Sequence, residues 1–252
     1  MKARSAGERN KDLPVAIVTG GGKRLGRYIA LALARNSYRL VVNYHGSRAG
    51  AEETVSRIRK GGGECRAIRA DISKAADARS LVRKAIDTFG RVDLLVNNSA
   101  VFIESPLLTT TEKTWNTTID INLKGTFLCS QAVSPHMLKR RFGKIINIAS
   151  LGGLQAWTKH LPYSVSKAGV IMLTRILAKE LAPHIQVNAI APGTIIMEGD
   201  EGQGRRHVPV SSIPLKRYGK PSDITDLVVF LATTASYMTG QILVADGGRS
   251  IP

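Results

Sequence analysis

The sequence predicts an α/β fold: one doubly wound parallel sheet of seven strands flanked by helices, over residues 13–252. Three observations carry that prediction. Short β-branched or apolar runs alternate with longer amphipathic segments along the whole chain. Strand, helix, strand, repeated, implies a parallel sheet covered on both faces. The first run enters a glycine-rich turn, VTGGGKRLGR (18–27), which opens directly into a helix-like stretch.

The seven runs are VAIVT (15–19), RLVVNY (39–44), CRAIRAD (65–71), DLLVNN (93–98), KIINIAS (144–150), IQVNAIAP (185–192) and QILVAD (241–246). Between the early ones lie RLGRYIALALARN, AEETVSRIRKGGG and DARSLVRKAIDTFG. Leu25, Ile29, Ala32 and Leu33 recur at helical spacing in the first. Leu81, Val82, Ala85, Ile86 and Phe89 do so in the third, and Gly90 stops it. No linker divides the chain. Residues 1–12 are polar and basic and read as a disordered tail, without the apolar middle of a secretory signal. Residues 192–214 are glycine-rich and charged, and a loop of that length in a compact domain reads as a lid over substrate.

Composition narrows the function classes. Hydrophobic residues are 43% of the chain, which supports a core and argues against disorder. No apolar run approaches the ~20 residues of a membrane span, so no membrane partner is expected. Cys65 and Cys129 stand far apart, which suits buried small hydrophobes in a reducing cytoplasm. The net charge of +17 favours an anionic partner. Nucleic acid is disfavoured, because no aromatic side chains interleave with the basic runs. The five histidines are scattered, and no metal site is expected.

In an open α/β sheet, ligands bind at the carboxyl ends of the strands. The first glycine turn can hold a dinucleotide pyrophosphate at a helix N-terminus. The second strand ends Asn43-Tyr44-His45-Gly46-Ser47-Arg48, with no acid to hold free adenosine ribose hydroxyls. Lys23, Arg24, His45, Ser47 and Arg48 supply donors and charge for a 2′-phosphate, so the expected cofactor is NADPH/NADP. Asp71, followed by Ile72, can accept from the adenine amino group or cap the next helix, or do both.

The sequence resembles the short-chain dehydrogenase/reductase family along nearly all of residues 13–252. The residues that carry the resemblance are Thr19-Gly20 with Gly26, Asn97-Asn98-Ser99-Ala100, Asn122, Ser150, Tyr163 with Lys167, and Pro192-Gly193. The resemblance implies a single Rossmann-like domain, hydride transfer with a nicotinamide cofactor, and a homotetramer. Its cofactor residues map to Thr19, Gly20, Leu25, Gly26, Asp71, Ile72, Asn98, Ser99, Ala100, Tyr163, Lys167, Pro192, Gly193, Thr194 and Ile195. Arg24 replaces the middle glycine of the family's loop. It resembles the pteridine reductase subgroup there, as do Tyr44-His45-Gly46-Ser47 and Asp246-Gly247-Gly248-Arg249-Ser250. Ser150 resembles ordinary ketone reductases instead, including 3-oxoacyl-carrier-protein reductases. Met197 stands where the family has a carboxamide-binding threonine; Thr194 or the Ile195 backbone is the substitute.

The chemistry follows from spacing. Tyr163 and Lys167 lie four apart, one turn along the same helix face. A phenol has a pKa near ~10, and a nearby cation lowers it toward acid–base work. Ser150 can hydrogen-bond a substrate carbonyl oxygen and stabilise a developing alkoxide. By the resemblance, Asn122 belongs to a proton relay near Lys167; read by itself it is an internal asparagine satisfying a helix backbone. Trp157 and His160 either line the substrate pocket or sit in an exposed loop. The expected reaction is NADPH-dependent reduction of a carbonyl, a 3-oxoacyl thioester or similar ketone. The substrate can ride on coenzyme A or on an acidic carrier met by Lys139-Arg140-Arg141. The alternatives are reduction of a pterin C=N bond, and a non-catalytic NADPH- or nucleic-acid-binding protein.

Overall fold

A computed structural model describes residues 12–200 and 208–251. The tail at 1–11, and His207 with the rest of 201–207 in the expected lid, lie outside the described residues.

All seven expected strands form, and all pair in parallel. They are β1 (Val15–Val18), β2 (Arg39–Tyr44), β3 (Cys65–Arg69), β4 (Leu94–Asn97), β5 (Gly143–Ile148), β6 (Ile185–Pro192) and β7 (Ile242–Ala245). Their order is β3-β2-β1-β4-β5-β6-β7. The order reverses between β1 and β4, which is where such a sheet opens a crevice at its carboxyl edge. Several strands stop one or two residues before the apolar runs do. Thr19, Asp71, Asn98 and Ser150 thereby fall just beyond the ladder, where their side chains serve the crevice.

Alternation along the strands divides the core in two. On one face Ala16, Val18, Leu40, Val42 and Val96 pack against three helices: α1 (Arg24–Arg35), α2 (Arg48–Lys60) and α7 (Pro221–Thr233). On the other, Ile17, Val41, Leu95, Ile145 and Val187 meet α3 (Ala75–Phe89), α5 (Gly125–Lys139) and α6 (Leu161–Leu181). A short helix, α4 (Glu112–Ile119), runs through a π-helical turn, Asp120–Lys124, into α5. Gly90 caps α3 in the left-handed conformation, φ 77°, as its place in the sequence requires. Cys65 and Cys129 are both buried thiols, pushed up to about 12 by burial. No helix among the described residues is long and apolar enough to cross a membrane.

Beneath β4 lies a buried ion cluster. Asp93 is 2% exposed and accepts from the Val15 amide at 2.9 Å, from Arg91 at 2.7 Å and from Arg140 at 2.8 Å. Arg140, expected on a carrier-facing surface, is thus half-buried against Asp93; Lys139 and Arg141 beside it stay exposed. Burial pushes the Asp93 carboxyl up, but Arg91, the Val15 amide and Arg140 outweigh it and hold its pKa below the ordinary value. A depressed acid contributes stability above its unfolded pKa and loses it as pH falls through the folded one. Asp93→Asn should therefore cost about 2–3 kcal/mol at pH 7 and flatten the acid limb of stability below pH ~4, read by urea melts across pH.

Candidate active site

The glycine turn is built for close approach. Gly20 has φ +62°, and a Cβ there would stand 2.8 Å from the Ser99 hydroxyl. A Cβ on Gly26 would overlap the Gly20 carbonyl and the Asn98 amide. Thr19 ties the turn to β4: its hydroxyl accepts the Asn98 amide at 2.9 Å and the Ser99 amide at 3.1 Å. The Asn98 side chain donates back to the Thr19 carbonyl at 2.9 Å. Asn43, at the end of β2, accepts from the Gly20 amide at 3.4 Å and donates to the Ala70 carbonyl at 3.0 Å. It braces three strand ends, a role invisible in a lone asparagine on an apolar run. The turn lacks space for side chains where a pyrophosphate would approach, so these residues fit a dinucleotide.

The cations beside the turn are not equivalent. Arg24 has φ 49°, strained for a non-glycine residue. Its guanidinium grips Asp200 with two hydrogen bonds, 2.8 and 3.1 Å. Asp200 is 5% exposed and also accepts the Met197 amide at 3.1 Å, so the pair joins the glycine turn to the loop after β6. Arg24, expected to face a 2′-phosphate, has an internal partner instead. Arg48 pairs with Glu52 at 2.7 Å on the surface. Lys23 and His45 are exposed, and Ser47, at the N-cap of α2, makes no capping hydrogen bond. Asp71 holds Ser73 rather than capping a helix, with its Oδ1 accepting from the Ser73 amide and hydroxyl at 3.1 and 2.6 Å. The α3 N-cap falls at Lys74. Ile72 is buried against Gly125, where a Cβ would meet its Cδ1 at 2.7 Å. Leu25 packs into the α1 core, and Ala100 is exposed beyond β4.

Three expected reacting groups meet at the end of β5. Ser150 is buried and accepts the Gly152 amide at 3.1 Å, and its hydroxyl is near enough to the Tyr163 phenol to favour the ionised form. Tyr163 and Lys167 occupy one face of α6, and the Lys167 ammonium lies 5.8 Å from the Tyr163 ring. That ammonium donates to the Ile148 carbonyl at 2.6 Å. Burial lowers the Lys167 pKa to about 8. Burial also raises that of Tyr163, with Ser150 pulling it back. The expected lowering of the phenol by its lysine is therefore not what this geometry gives. Desolvation sets the direction, and the ammonium is turned to a carbonyl.

Asn122 sits fully buried in the π-helical turn, a distortion common at functional sites. Its amide accepts from the Val101 N–H at 2.8 Å and donates to the Val101 carbonyl at 3.0 Å and the Ser166 hydroxyl at 3.0 Å. The side chain braces the loop after β4 against α6 and makes no hydrogen bond to Lys167. Next to β6, the Gly193 amide donates to the Ala245 carbonyl at 2.9 Å, and a Cβ there would meet Asp246 Cα at 2.8 Å. Thr194 and Ile196 exchange main-chain hydrogen bonds with Gly219 at 3.0 and 2.9 Å. The Ile195 main-chain groups take no part in that exchange. Pro192 ends β6, buried.

Trp157 and His160 belong to the site. The Trp157 ring lies 14° from parallel with that of Tyr163, centroids 6.3 Å apart. Phe102 meets Tyr163 edge-on at 4.7 Å and stacks on His160 at 4.2 Å. Sequence reasoning missed Phe102; its one signal is its place two residues beyond the Asn97–Ala100 run.

The comparisons agree with this geometry. The family model for enoyl-(acyl carrier protein) reductase matches residues 22–250. A 3-oxoacyl-[acyl-carrier-protein] reductase from Synechocystis is 41% identical over 237 residues, which are 93% of this chain and 96% of the relative. One from Staphylococcus epidermidis, FabG, is 41% identical over 92% of this chain and 97% of its own. Among solved structures, acetoin dehydrogenase from Salmonella typhimurium superposes with TM-score 0.85 at 34% identity, covering 94% of this chain and 95% of that one. A short chain dehydrogenase from Bacillus anthracis does so with TM-score 0.87 at 30% identity, covering 96% and 98%. With its strand order, glycine turn and Ser150–Tyr163–Lys167 set, this chain belongs to the short-chain dehydrogenase/reductase family of oxidoreductases.

Proposed function

We propose that the protein reduces the carbonyl of a 3-oxoacyl thioester or similar ketone with NADPH. The carrying observation is the gathering of the buried Ser150 hydroxyl, the Tyr163 phenol and Lys167 at the end of β5, with the Lys167 ammonium 5.8 Å from the Tyr163 ring. Ser150 holds the carbonyl oxygen, and Tyr163 delivers a proton to that oxygen as charge develops. Lys167 supplies positive charge behind the phenol. When bound, the nicotinamide supplies the hydride. Asn122 keeps the wall of this site in place through Val101 and Ser166.

Support for NADPH over NADH is the absence of an acid at the end of β2, together with Lys23, His45 and Ser47 around the same corner. Support for a thioester comes from the two carrier-protein reductases above, and for an acidic carrier from exposed Lys139 and Arg141. Exposed Phe127 on α5 and Val165, Met172 and Ile176 on α6 give a homotetramer an apolar face to bury. The two buried thiols suit the cytoplasm. The aromatic wall of Phe102 and Trp157 also suits a planar pterin ring, the second reading.

A panel of acetoacetyl thioesters, small ketones, quinones and dihydropterin, each with NADPH and NADH, tests these readings. NADPH oxidation with the acetoacetyl thioester or a ketone is the expected result. Turnover of dihydropterin alone replaces the ketone reading, and a 10-fold or larger preference for NADH overturns the cofactor assignment.

A further inference from the structure

We propose that Arg249 is an anion anchor on the substrate side of this site, selecting a ketone that carries a free carboxylate of its own. The proposal rests on the carbonyl-reductase reading above and deepens it.

The segment after β7 is held by its own acid. Asp246 accepts the Gly248 amide at 2.8 Å on one oxygen and the Ser250 amide at 2.6 Å on the other. Gly247 and Gly248 take φ +69° and +88°, which only glycine adopts without strain, and a Cβ on Gly248 would stand 3.0 Å from Pro214. This turn carries the half-buried Arg249 guanidinium 5.5 Å from the centre of the Trp157 ring, over its face. Trp157 is itself seated on Gly152, where a Cβ would meet its ring at 2.7 Å, and it lies nearly parallel to Tyr163. The cation and the phenol therefore both neighbour the same indole.

Four other arginines near the core have anionic partners. Arg27 holds Glu53, Arg24 holds Asp200, and Arg91 and Arg140 share Asp93. Among the described residues, no carboxylate lies within 4.0 Å of Arg249 and its guanidinium makes no hydrogen bond. Asp246, the nearest acid in sequence, spends both oxygens on the turn. A planar cation fixed on an aromatic face keeps its donor edge for a carboxylate, which it binds through two parallel hydrogen bonds. The position identifies which anion. The phosphate of a thioester carrier sits at the far end of a long arm, whereas Arg249 and the Tyr163 phenol share one indole. The charge it meets belongs to the ketone itself.

The test uses the full chain with NADPH and matched ketones: acetoacetate and 4-oxopentanoate, each beside its methyl ester. Wild-type protein is expected to favour the acids. Arg249→Met is expected to lower kcat/KM for the acids about 10- to 100-fold, chiefly through KM, while the esters change less than about 3-fold. Arg249→Lys should restore part of the loss, since it returns the charge without the fork. Equal losses on acid and ester, or an undiminished acid, overturn the proposal. Wild-type protein that reduces the esters but neglects the acids overturns it while sparing the carbonyl-reductase reading. Wild-type protein that oxidises NADPH with no ketone or thioester overturns both.

Discussion

Tyr163→Phe should lower kcat for ketone reduction by about 10²- to 10⁴-fold, the usual worth of a positioned general acid. The substitution removes one hydroxyl and keeps the ring that Phe102 meets edge-on and Trp157 overlies. The aromatic wall and α6 therefore persist. The variant should melt within a few degrees of the parent and bind NADPH, followed by nucleotide fluorescence, with similar affinity. Burial raises the phenol pKa, which favours the protonated form. A protonated phenol is the form that donates, so Tyr163 is ready for reduction at neutral pH without a prior proton uptake. Stopped-flow measurement of NADPH oxidation at saturating ketone reads the loss directly. Turnover within 3-fold of the parent would show that Tyr163 carries no proton.

Most of the scaffold is legible in the sequence, because a strand buried between two helical layers leaves a continuous apolar run. Val15–Val18 shows this plainly. The Ser150, Tyr163 and Lys167 set is legible too, since strand end and helix face fix their approach. Contacts between distant loops are not. Arg24 and Asp200 are 176 positions apart, and neither has a local pattern that names the other. Arg140 reads as one more surface cation until β4 brings Asp93 beneath it. The π-helical turn at Asn122 replaces an ordinary helical one for tertiary reasons, to reach Val101 and Ser166. Charge tuning is the least legible of all. Spacing predicts that the ammonium meets the phenol, but burial and the Ile148 carbonyl decide where the proton affinities settle.

That same burial separates activity from stability at Lys167. Its ammonium is 3% exposed, with a pKa lowered from 10.5 to about 8. Between those two values the unfolded chain binds more protons than the folded one, so stability rises with pH across that window. Below pH 8 the full cost of the buried charge remains, on the order of 3 kcal/mol. Lys167→Met removes it at neutral pH. The change also strips the Ile148 carbonyl of its donor, which costs about 1–3 kcal/mol in return. The melting temperature at pH 7 should hold or rise by a few degrees, and the alkaline increase in stability should vanish. Ketone reduction should nevertheless fall at least 100-fold, because the charge behind Tyr163 is gone. In the parent, reduction should decline above pH ~8 as Lys167 loses its proton, and the methionine variant should lack that limb. Urea melts at pH 7 and pH 10 beside kcat profiles resolve both effects. A variant that is strongly destabilised at pH 7 would mean that the Ile148 hydrogen bond outweighs the buried charge. One that keeps its activity would remove Lys167 from the reaction.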